Sequence, residues 1–214
     1  MTDKKVIVFD MDGTIADFYG VNGWLDDLNN HRTRPYEIAE PLYDMVELAN
    51  LLEELKEIGY IIAITTWLSA NSTREYDNEV RKAKLEWLAR YNFPYDEIHL
   101  VKYGTTKANC TRKLGGFQIL VDDNEKVRKG WNLGTTIDAN ENIIEMLKAL
   151  LWAFFFVPLS TLWDFQSVGS DFVKNLTKIF SKKYWQITFI MLYLYQQIKK
   201  EVIKWQLKAL KNIL

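Results

Sequence analysis

The 214-residue chain has few of the residues on which several kinds of site depend. It contains one cysteine, Cys110, which excludes an intramolecular disulfide framework and fits a reducing compartment such as the cytoplasm. Its two histidines are His31 and His99, and nothing in the sequence connects either to Cys110 as an activating base. We therefore expect no thiol-based active site and predict structural roles for all three residues.

The sequence also lacks a strong signal for a membrane-spanning helix. Two uncharged runs near the C-terminus, 149–163 and 184–198, have 15 residues each. At about 1.5 Å per residue, each would span roughly 22 Å as a helix, which is less than a hydrocarbon core of about 30 Å. The polar N-terminus leads directly into an apolar run that predicts a strand, so we expect no signal peptide there.

Charge is unevenly distributed along the chain. Residues 1–149 hold 18 Lys and Arg against 25 Asp and Glu, whereas residues 150–214 hold 9 against 3, so the net charge changes from −7 to +6. The C-terminal segment also contains 14 aromatic residues. A shift of this size indicates a boundary. We predict a domain over 1–150 and an aromatic, basic, mainly helical extension over 151–214.

The most informative stretch is 5–14, Lys-Val-Ile-Val-Phe-Asp-Met-Asp-Gly-Thr. An apolar run stopped by a turn signal is typical of a buried parallel strand. It ends in Asp10 and Asp12, and Gly13 permits a sharp turn beside them. Two like charges about 4 Å apart repel by roughly 4 kcal/mol at an effective dielectric near 20, so this pair is expected to bind a cation or share a proton. An ordinary surface turn is the alternative.

Further apolar runs predict four more strands, at 60–64, 98–101, 117–121 and 135–137. Helical spacing lies between them, most clearly from Leu42 to Ile58 and after Ser72, whose distance from Glu75 fits a capping box. Strands that alternate with helices favour an α/β, Rossmann-like, doubly wound parallel sheet. Ligands of such sheets bind at the carboxyl ends of the strands.

Polar residues follow the predicted strands at that edge. Thr65 and Thr66 end the second strand, two lysines occupy the loop after the third, and Asp122 and Asp123 follow the fourth. Because parallel strands bring their carboxyl ends to one edge, the second acidic pair can meet the first around one cation.

Taken in order, these positions resemble the four motifs of the haloacid dehalogenase-like (HAD) phosphohydrolases. The start, Asp-Met-Asp-Gly-Thr-Ile-Ala-Asp-Phe at 10–18, is similar to the 5'(3')-deoxyribonucleotidase branch found in bacteria and phages. The resemblance covers roughly 5–150. It implies a phosphomonoester hydrolase, most closely a 5'-nucleotidase acting on (deoxy)nucleoside monophosphates.

The resemblance also implies roles for the acidic residues. Asp10 would attack phosphorus to form an aspartyl-phosphate, and Asp12 would act as general acid and then general base. Mg²⁺, which prefers hard oxygen ligands, would be held by Asp10, Asp123 and the backbone carbonyl of Asp12. Asp122 would stabilise the ligands of the ion without touching the ion, or bind the ion through a water molecule.

Phosphate binding is assigned by the same resemblance. Thr65, with Thr66 beside it, would donate a hydrogen bond to a phosphoryl oxygen, and a lysine would neutralise the transferring group. The Gly-Thr-Thr-Lys context favours Lys107 for that lysine, and Lys102 stays open as the alternative.

The substrate is less closely defined. Only 15–59 is available for a cap and a long helix, which predicts a reduced cap, and the spacing within 15–30 predicts a helix or a helical flap. An open site could instead admit a polynucleotide end or a phosphoprotein. Candidates for stacking on a base are aromatic residues that could equally belong to the core: Phe18, Tyr19, Trp24 and Trp67.

The C-terminal extension leaves three alternatives open. Its last part has a basic helical stripe beside an apolar one, which suits a membrane surface or a partner helix. It could pack within the chain or in a homo-oligomer, contact a membrane peripherally as a binding module that retains the fold, or have no functional role. No base-reading motif is present, so nucleic acid is not the expected partner. The stripe consists of Lys200, Lys204, Lys208 and Lys211.

Overall fold

The structure is a computed structural model that describes residues 4–70 and 72–156, with side chains described as far as residue 151. The predicted extension lies outside the described residues from position 157 onward, and so does its lysine stripe. The chain divides into two units, Met1–Leu147 and Lys148–Leu214. The fold described below is that of the first unit, together with the helix that begins in it at Ile143 and ends at Phe156.

A five-stranded parallel sheet forms the centre of this unit, in the order β3-β2-β1-β4-β5. Every pair of neighbouring strands is parallel, and the residues of β1 from Val6 to Phe9 are fully buried. The predicted Rossmann-like α/β fold is therefore confirmed. The strands are β1 (Lys5–Phe9), β2 (Tyr60–Trp67), β3 (Glu97–Val101), β4 (Phe117–Asp122) and β5 (Gly134–Asp138).

Helices flank the sheet and connect its strands. Within the described residues, none of them has the length and apolar character needed to cross a membrane. The helices are α1 (Trp24–Asn29), α2 (Arg34–Ile38), α3 (Met45–Glu57), α4 (Arg74–Arg90), α5 (Lys107–Thr111), α6 (Glu125–Lys129) and α7 (Ile143–Phe156), with a 3₁₀ turn at Arg112–Leu114.

Capping side chains set where the long helices begin. The carboxylate of Asp44 accepts hydrogen bonds from the backbone N–H groups of Val46 and Glu47, so α3 begins three residues after the predicted Leu42. At α4, the hydroxyl of Thr73 accepts from the N–H of Tyr76 at 3.1 Å and is the cap. The capping-box prediction at Ser72 is thus wrong by one residue.

The segment between β1 and α3 contains only short helices. The prediction of a helix over 15–30 holds for its last part alone, where α1 has six residues. Before α1, the chain is fixed beside β1 by isolated bridges from Ala16 to Asp12 and to Pro41. Asp27 of α1 is buried and pairs with Arg34 at 2.6 Å, which joins α1 to α2. Two short helices therefore stand where a cap is expected.

The register of β1, β2 and β4 places Asp10, Thr65 and Asp122 next to one another at the carboxyl ends of these strands. Phe9 pairs with the residue before Thr65 in β2 and with the residue before Asp122 in β4. Asp10 follows directly, and its backbone N–H still donates to the carbonyl of Val121 at 2.9 Å. Three polar side chains thus leave three adjacent strands side by side.

This register depends on a close backbone approach at the start of β4. Gly116 has φ of +69°, and a Cβ there would lie 1.9 Å from the carbonyl oxygen of Lys4. Gly104 also has positive φ, +80°, but a Cβ there meets nothing within 4 Å. We expect Gly104→Ala to cost about 1 kcal/mol of unfolding free energy, from backbone strain alone. Gly116→Ala should cost about 2 kcal/mol more, because the backbone must also shift.

Urea unfolding of both variants and the parent chain measures this difference. Equal losses for the two alanine variants would contradict the close approach at Gly116.

Candidate active site

Four of the predicted site residues meet at the carboxyl edge of the sheet. Asp10 follows β1, Thr65 lies near the end of β2, Asp122 ends β4, and Lys107 begins α5. All four are buried, with Asp10 the most exposed of them at 7%. Charged groups at such depth must be compensated by opposite charge or by hydrogen bonds.

Lys107 provides that compensation for two carboxylates. Its Nζ lies 2.7 Å from Oδ2 of Asp10 and 2.7 Å from Oδ2 of Asp122. Burial alone would lower the pKa of Lys107, but these two carboxylates outweigh burial and raise it. Lys102, the alternative lysine, is exposed. Of the two candidates, the fold therefore brings Lys107 into the site.

Three carboxylates form a cluster around this lysine. Asp10, Asp122 and Asp123 each place an oxygen within 4.8 Å of the others. Burial, and then the charge of Asp10, raise the pKa of Asp122 to about 7 and that of Asp123 to about 6, against the opposing effect of Lys107. One lysine does not balance three carboxylates, so the cluster could hold a cation.

The free oxygens of the cluster fit a divalent ion. Oδ1 of Asp10 is buried and has no hydrogen-bond partner among the described residues. Both oxygens of Asp122 accept hydrogen bonds, Oδ1 from the N–H of Asn124 at 2.8 Å and Oδ2 from Nζ of Lys107, and its supporting role stays a prediction. Asp123 lies beside Gly13, where φ is +74°. Asp10 and Asp123 thus offer hard oxygen ligands, the kind that Mg²⁺ prefers.

Asp12 lies outside this cluster and has its own lysine. Its Oδ2 accepts a hydrogen bond from Nζ of Lys84 at 2.6 Å. Burial raises the pKa of Asp12, Lys84 opposes that rise, and the charge of Asp10 adds to it. A carboxyl with a raised pKa is suited to proton transfer at neutral pH.

Sequence reasoning missed Lys84. It lies in α4, four residues after Val80 and three before Trp87, and both of those residues are fully buried. This spacing places Lys84 on the apolar face of the helix. A lysine on an apolar face is the feature of the sequence that could have predicted its burial.

The two predicted threonines differ in their surroundings. Thr65 is fully buried, and its Oγ1 has no partner among the described residues. The Oγ1 of Thr66 accepts a hydrogen bond from Nζ of Lys84 at 2.9 Å. Thr65 therefore has the free hydroxyl, whereas the hydroxyl of Thr66 is engaged inside the protein.

The four predicted aromatic residues do not form one surface. Phe18 is only 3% exposed and packs in a core cluster with Tyr36, whereas half-buried Trp24 contacts the rings of Phe18 and Tyr19. Trp67 donates from Nε1 to a backbone carbonyl, and its ring centroid lies 5.1 Å from Nζ of Lys107. Tyr19, 51% exposed, has the largest accessible ring of the four.

A cleft of about 450 Å³ opens beside the acidic cluster. Two of its acidic side chains, Asp17 and Glu141, lie outside the cluster, and the described residues that line the cleft include no lysine or arginine. Sequence reasoning did not anticipate the contributions from Tyr43 or from the loop after β5. The lining residues are Gly13, Asp17, Tyr19, Leu42, Tyr43, Asp123, Ala139, Asn140 and Glu141.

The acidic cluster gives a prediction about pH and magnesium. Because the pKa values of Asp122 and Asp123 are raised to about 7 and 6 from an unfolded value near 4, the folded state binds protons more tightly than the unfolded state. Without metal, stability should fall as pH rises from 5 to 8. Mg²⁺ would bind the cluster in its deprotonated form, so we expect millimolar Mg²⁺ to raise Tm by several degrees at about pH 8 and by little at about pH 5.5.

Thermal unfolding at both pH values, with and without Mg²⁺, measures this. Asp123→Asn should remove the shift, and the exposed control Asp26→Asn should retain it. A shift of equal size at both pH values would contradict metal binding at the cluster.

No protein-family model matches the sequence, and no curated protein matches it. Among solved structures, a chain of the Pnkp1/Rnl/Hen1 RNA repair complex is similar to this one, with 18% identity and a TM-score of 0.43. The match covers 63% of this chain and 42% of that chain, so this protein spans less than half of its neighbour's length. The function of this protein is therefore inferred from its sequence and from the geometry of its site.

Proposed function

We propose that this protein is a Mg²⁺-dependent, HAD-type phosphomonoester hydrolase that acts through an aspartyl-phosphate on (deoxy)nucleoside 5'-monophosphates. One observation carries the proposal: Oδ1 of Asp10 is buried and has no hydrogen-bond partner in the described part of the chain, while Nζ of Lys107 lies 2.7 Å from its Oδ2. A fixed carboxylate with one free oxygen, beside two further carboxylates and a buried cation, is suited to receive a phosphoryl group.

The chemistry proceeds in two displacements. In the first, a carboxylate oxygen of Asp10 bonds to phosphorus, the bond from phosphorus to the leaving oxygen breaks, and Asp12 gives that oxygen a proton. In the second, Asp12 takes a proton from water as the water oxygen bonds to phosphorus, which releases phosphate and regenerates Asp10. The raised pKa of Asp12 supports a role as general acid in the first displacement and as general base in the second.

Groups around Asp10 would hold the transferring phosphoryl group. The free Oγ1 of Thr65 can donate to a phosphoryl oxygen, and the Nζ of Lys107 can neutralise negative charge. When bound at Asp10 and Asp123, Mg²⁺ supplies the positive charge that lets a phosphate approach the carboxylates. The backbone carbonyl of Asp12 remains a predicted third ligand.

The cleft supports a small substrate with a single phosphate. It begins at Asp123 and offers Tyr19 and Tyr43 as aromatic surfaces for the leaving group. Its acidic side chains, Asp17 and Glu141, would repel further phosphates of a polynucleotide end. The remaining alternative, a binding module that depends on the extension, rests on residues outside the described part of the chain.

Replacing the proposed nucleophile tests the reaction. Asp10→Asn removes the attacking carboxylate, so phosphate release from nucleoside 5'-monophosphates in Mg²⁺ should fall at least about 10³-fold. Asp26→Asn should keep full activity because Asp26 is exposed on α1. Undiminished turnover by Asp10→Asn would make the nucleophile assignment wrong.

The acidic cleft predicts discrimination by charge. A nucleoside 5'-monophosphate should have a kcat/KM about 10-fold above that of the corresponding 3',5'-bisphosphate, because the second phosphate approaches Asp17 and Glu141. Glu141→Gln should reduce the ratio of kcat/KM between the monophosphate and the bisphosphate. The exposed control Glu75→Gln should leave this ratio unchanged. Equal kcat/KM values for both substrates in the parent chain would contradict this use of the cleft.

A further inference from the structure

Lys84 is a buried charge in a position where α4 would ordinarily carry an apolar residue. It has no exposed surface, although lysine is among the residues least often fully buried. Its Nζ donates to Oδ2 of Asp12 at 2.6 Å and to Oγ1 of Thr66 at 2.9 Å, and lies 5.1 Å from the ring centroid of Tyr36. Burial of an ammonium is costly unless it is paired, so these contacts hold it in one place.

We propose that Lys84 is a positioning residue that holds Asp12 by Oδ2 and leaves Oδ1 to carry the proton for the leaving oxygen. An ammonium has hydrogens to donate and no lone pair to accept with. An oxygen that accepts its hydrogen bond at 2.6 Å is therefore the wrong one to carry the acid proton. This inference rests on the proposed phosphohydrolase function.

The hydrogen bond from Lys84 to Thr66 fixes the position of Lys84, and with it that of Asp12, relative to β2. Thr66 lies in β2 next to Thr65, which has the free hydroxyl proposed for the phosphoryl group. Lys84 thus joins α4, β2 and the loop after β1 through two hydrogen bonds. The acid is thereby fixed relative to the place where phosphate is held, and small errors in such geometry reduce rates strongly.

The proton balance defines what Lys84 does and does not do. As the bond from Asp10 to phosphorus forms, the bond to the leaving oxygen breaks, and its electron pair takes the proton from Oδ1 of Asp12. Lys84 keeps its own protons throughout. Asp12, now a carboxylate still held at Oδ2, then accepts the proton of the attacking water at Oδ1.

This role predicts dependence on the leaving group. An alkoxide, such as the 5'-oxygen of a nucleoside, needs a proton as it departs, whereas 2,4-dinitrophenolate departs without one. Misplacing the acid should therefore slow the first kind of ester and spare the second. General damage to the fold, to metal binding or to phosphate binding would slow both alike.

The experiment compares Lys84→Met with Lys82→Met, an exposed lysine on the same helix that pairs with Glu86. We measure kcat/KM for a nucleoside 5'-monophosphate and for 2,4-dinitrophenyl phosphate, because this parameter reports steps up to phosphoryl transfer. Lys84→Met should lose about 100-fold or more on the nucleotide and less than about 10-fold on the aryl ester. Lys82→Met should match the parent on both.

Two further measurements separate positioning from other causes. The double variant Asp12→Asn with Lys84→Met should lose no more on the nucleotide than Asp12→Asn alone, because Lys84 acts through Asp12. Calorimetric Mg²⁺ titration should give the same affinity for Lys84→Met as for the parent. Additive losses, or loss of Mg²⁺ binding, would overturn the inference.

Thr66→Val provides a second variant in case Lys84→Met does not fold, because it keeps the charge and removes only one partner of Lys84. It should show the same selective loss on a smaller scale. Equal losses on both esters, by whichever variant folds, overturn the role of Lys84 and leave the proposed function standing. No turnover of either ester by the parent chain overturns both.

Discussion

Charge compensation at the carboxyl edge of the sheet is the constraint on which this structure depends. The site buries carboxylates among apolar strands, and two buried lysines from separate helices pair with them. Lys107 contacts Asp10 and Asp122 at 2.7 Å, and Lys84 contacts Asp12 at 2.6 Å. Removal of Lys107 would leave the buried carboxylates of Asp10 and Asp122 without their cation, and breaking a buried pair typically costs about 3–5 kcal/mol. The same contacts that make the site stable thus also fix where its oxygens lie.

The two lysines do not neutralise all of the negative charge of the site, and the uncompensated charge bears on what the site could bind. Among the described residues, no lysine pairs with Asp123 and Oδ1 of Asp10 has no hydrogen-bond partner, and the pKa values of Asp122 and Asp123 are raised to about 7 and 6. A divalent cation would balance the excess negative charge, and a phosphoryl group could then approach. The residues of the site come from three adjacent strands, because β1, the strand before Asp10, lies between β2 and β4.

The sequence predicted the parts of this site that depend on local pattern. An apolar run followed by a polar residue marks a strand end, and parallel strands share an edge, so Asp10, Asp122 and Asp123 could be grouped before any coordinates. Lys84 could not be placed this way, because a lysine in a helix is usually solvated. Its burial depends on tertiary contacts of α4, with Asp12, Thr66 and the ring of Tyr36. Aromatic composition likewise could not separate Phe18, which is core, from exposed Tyr19, because both precede α1 in one short segment.

Direct detection of a phosphorylated residue tests the central claim that Asp10 receives the phosphoryl group. Acid quenching of the protein during turnover of a nucleoside 5'-monophosphate in Mg²⁺, followed by peptide mass spectrometry, reports which side chain carries phosphate. The account predicts a phosphoryl adduct on Asp10, and more of it in Asp12→Asn once a substrate with a good leaving group is used, because that variant lacks the base for hydrolysis. Turnover with no adduct in either protein, or an adduct on another residue, would contradict it.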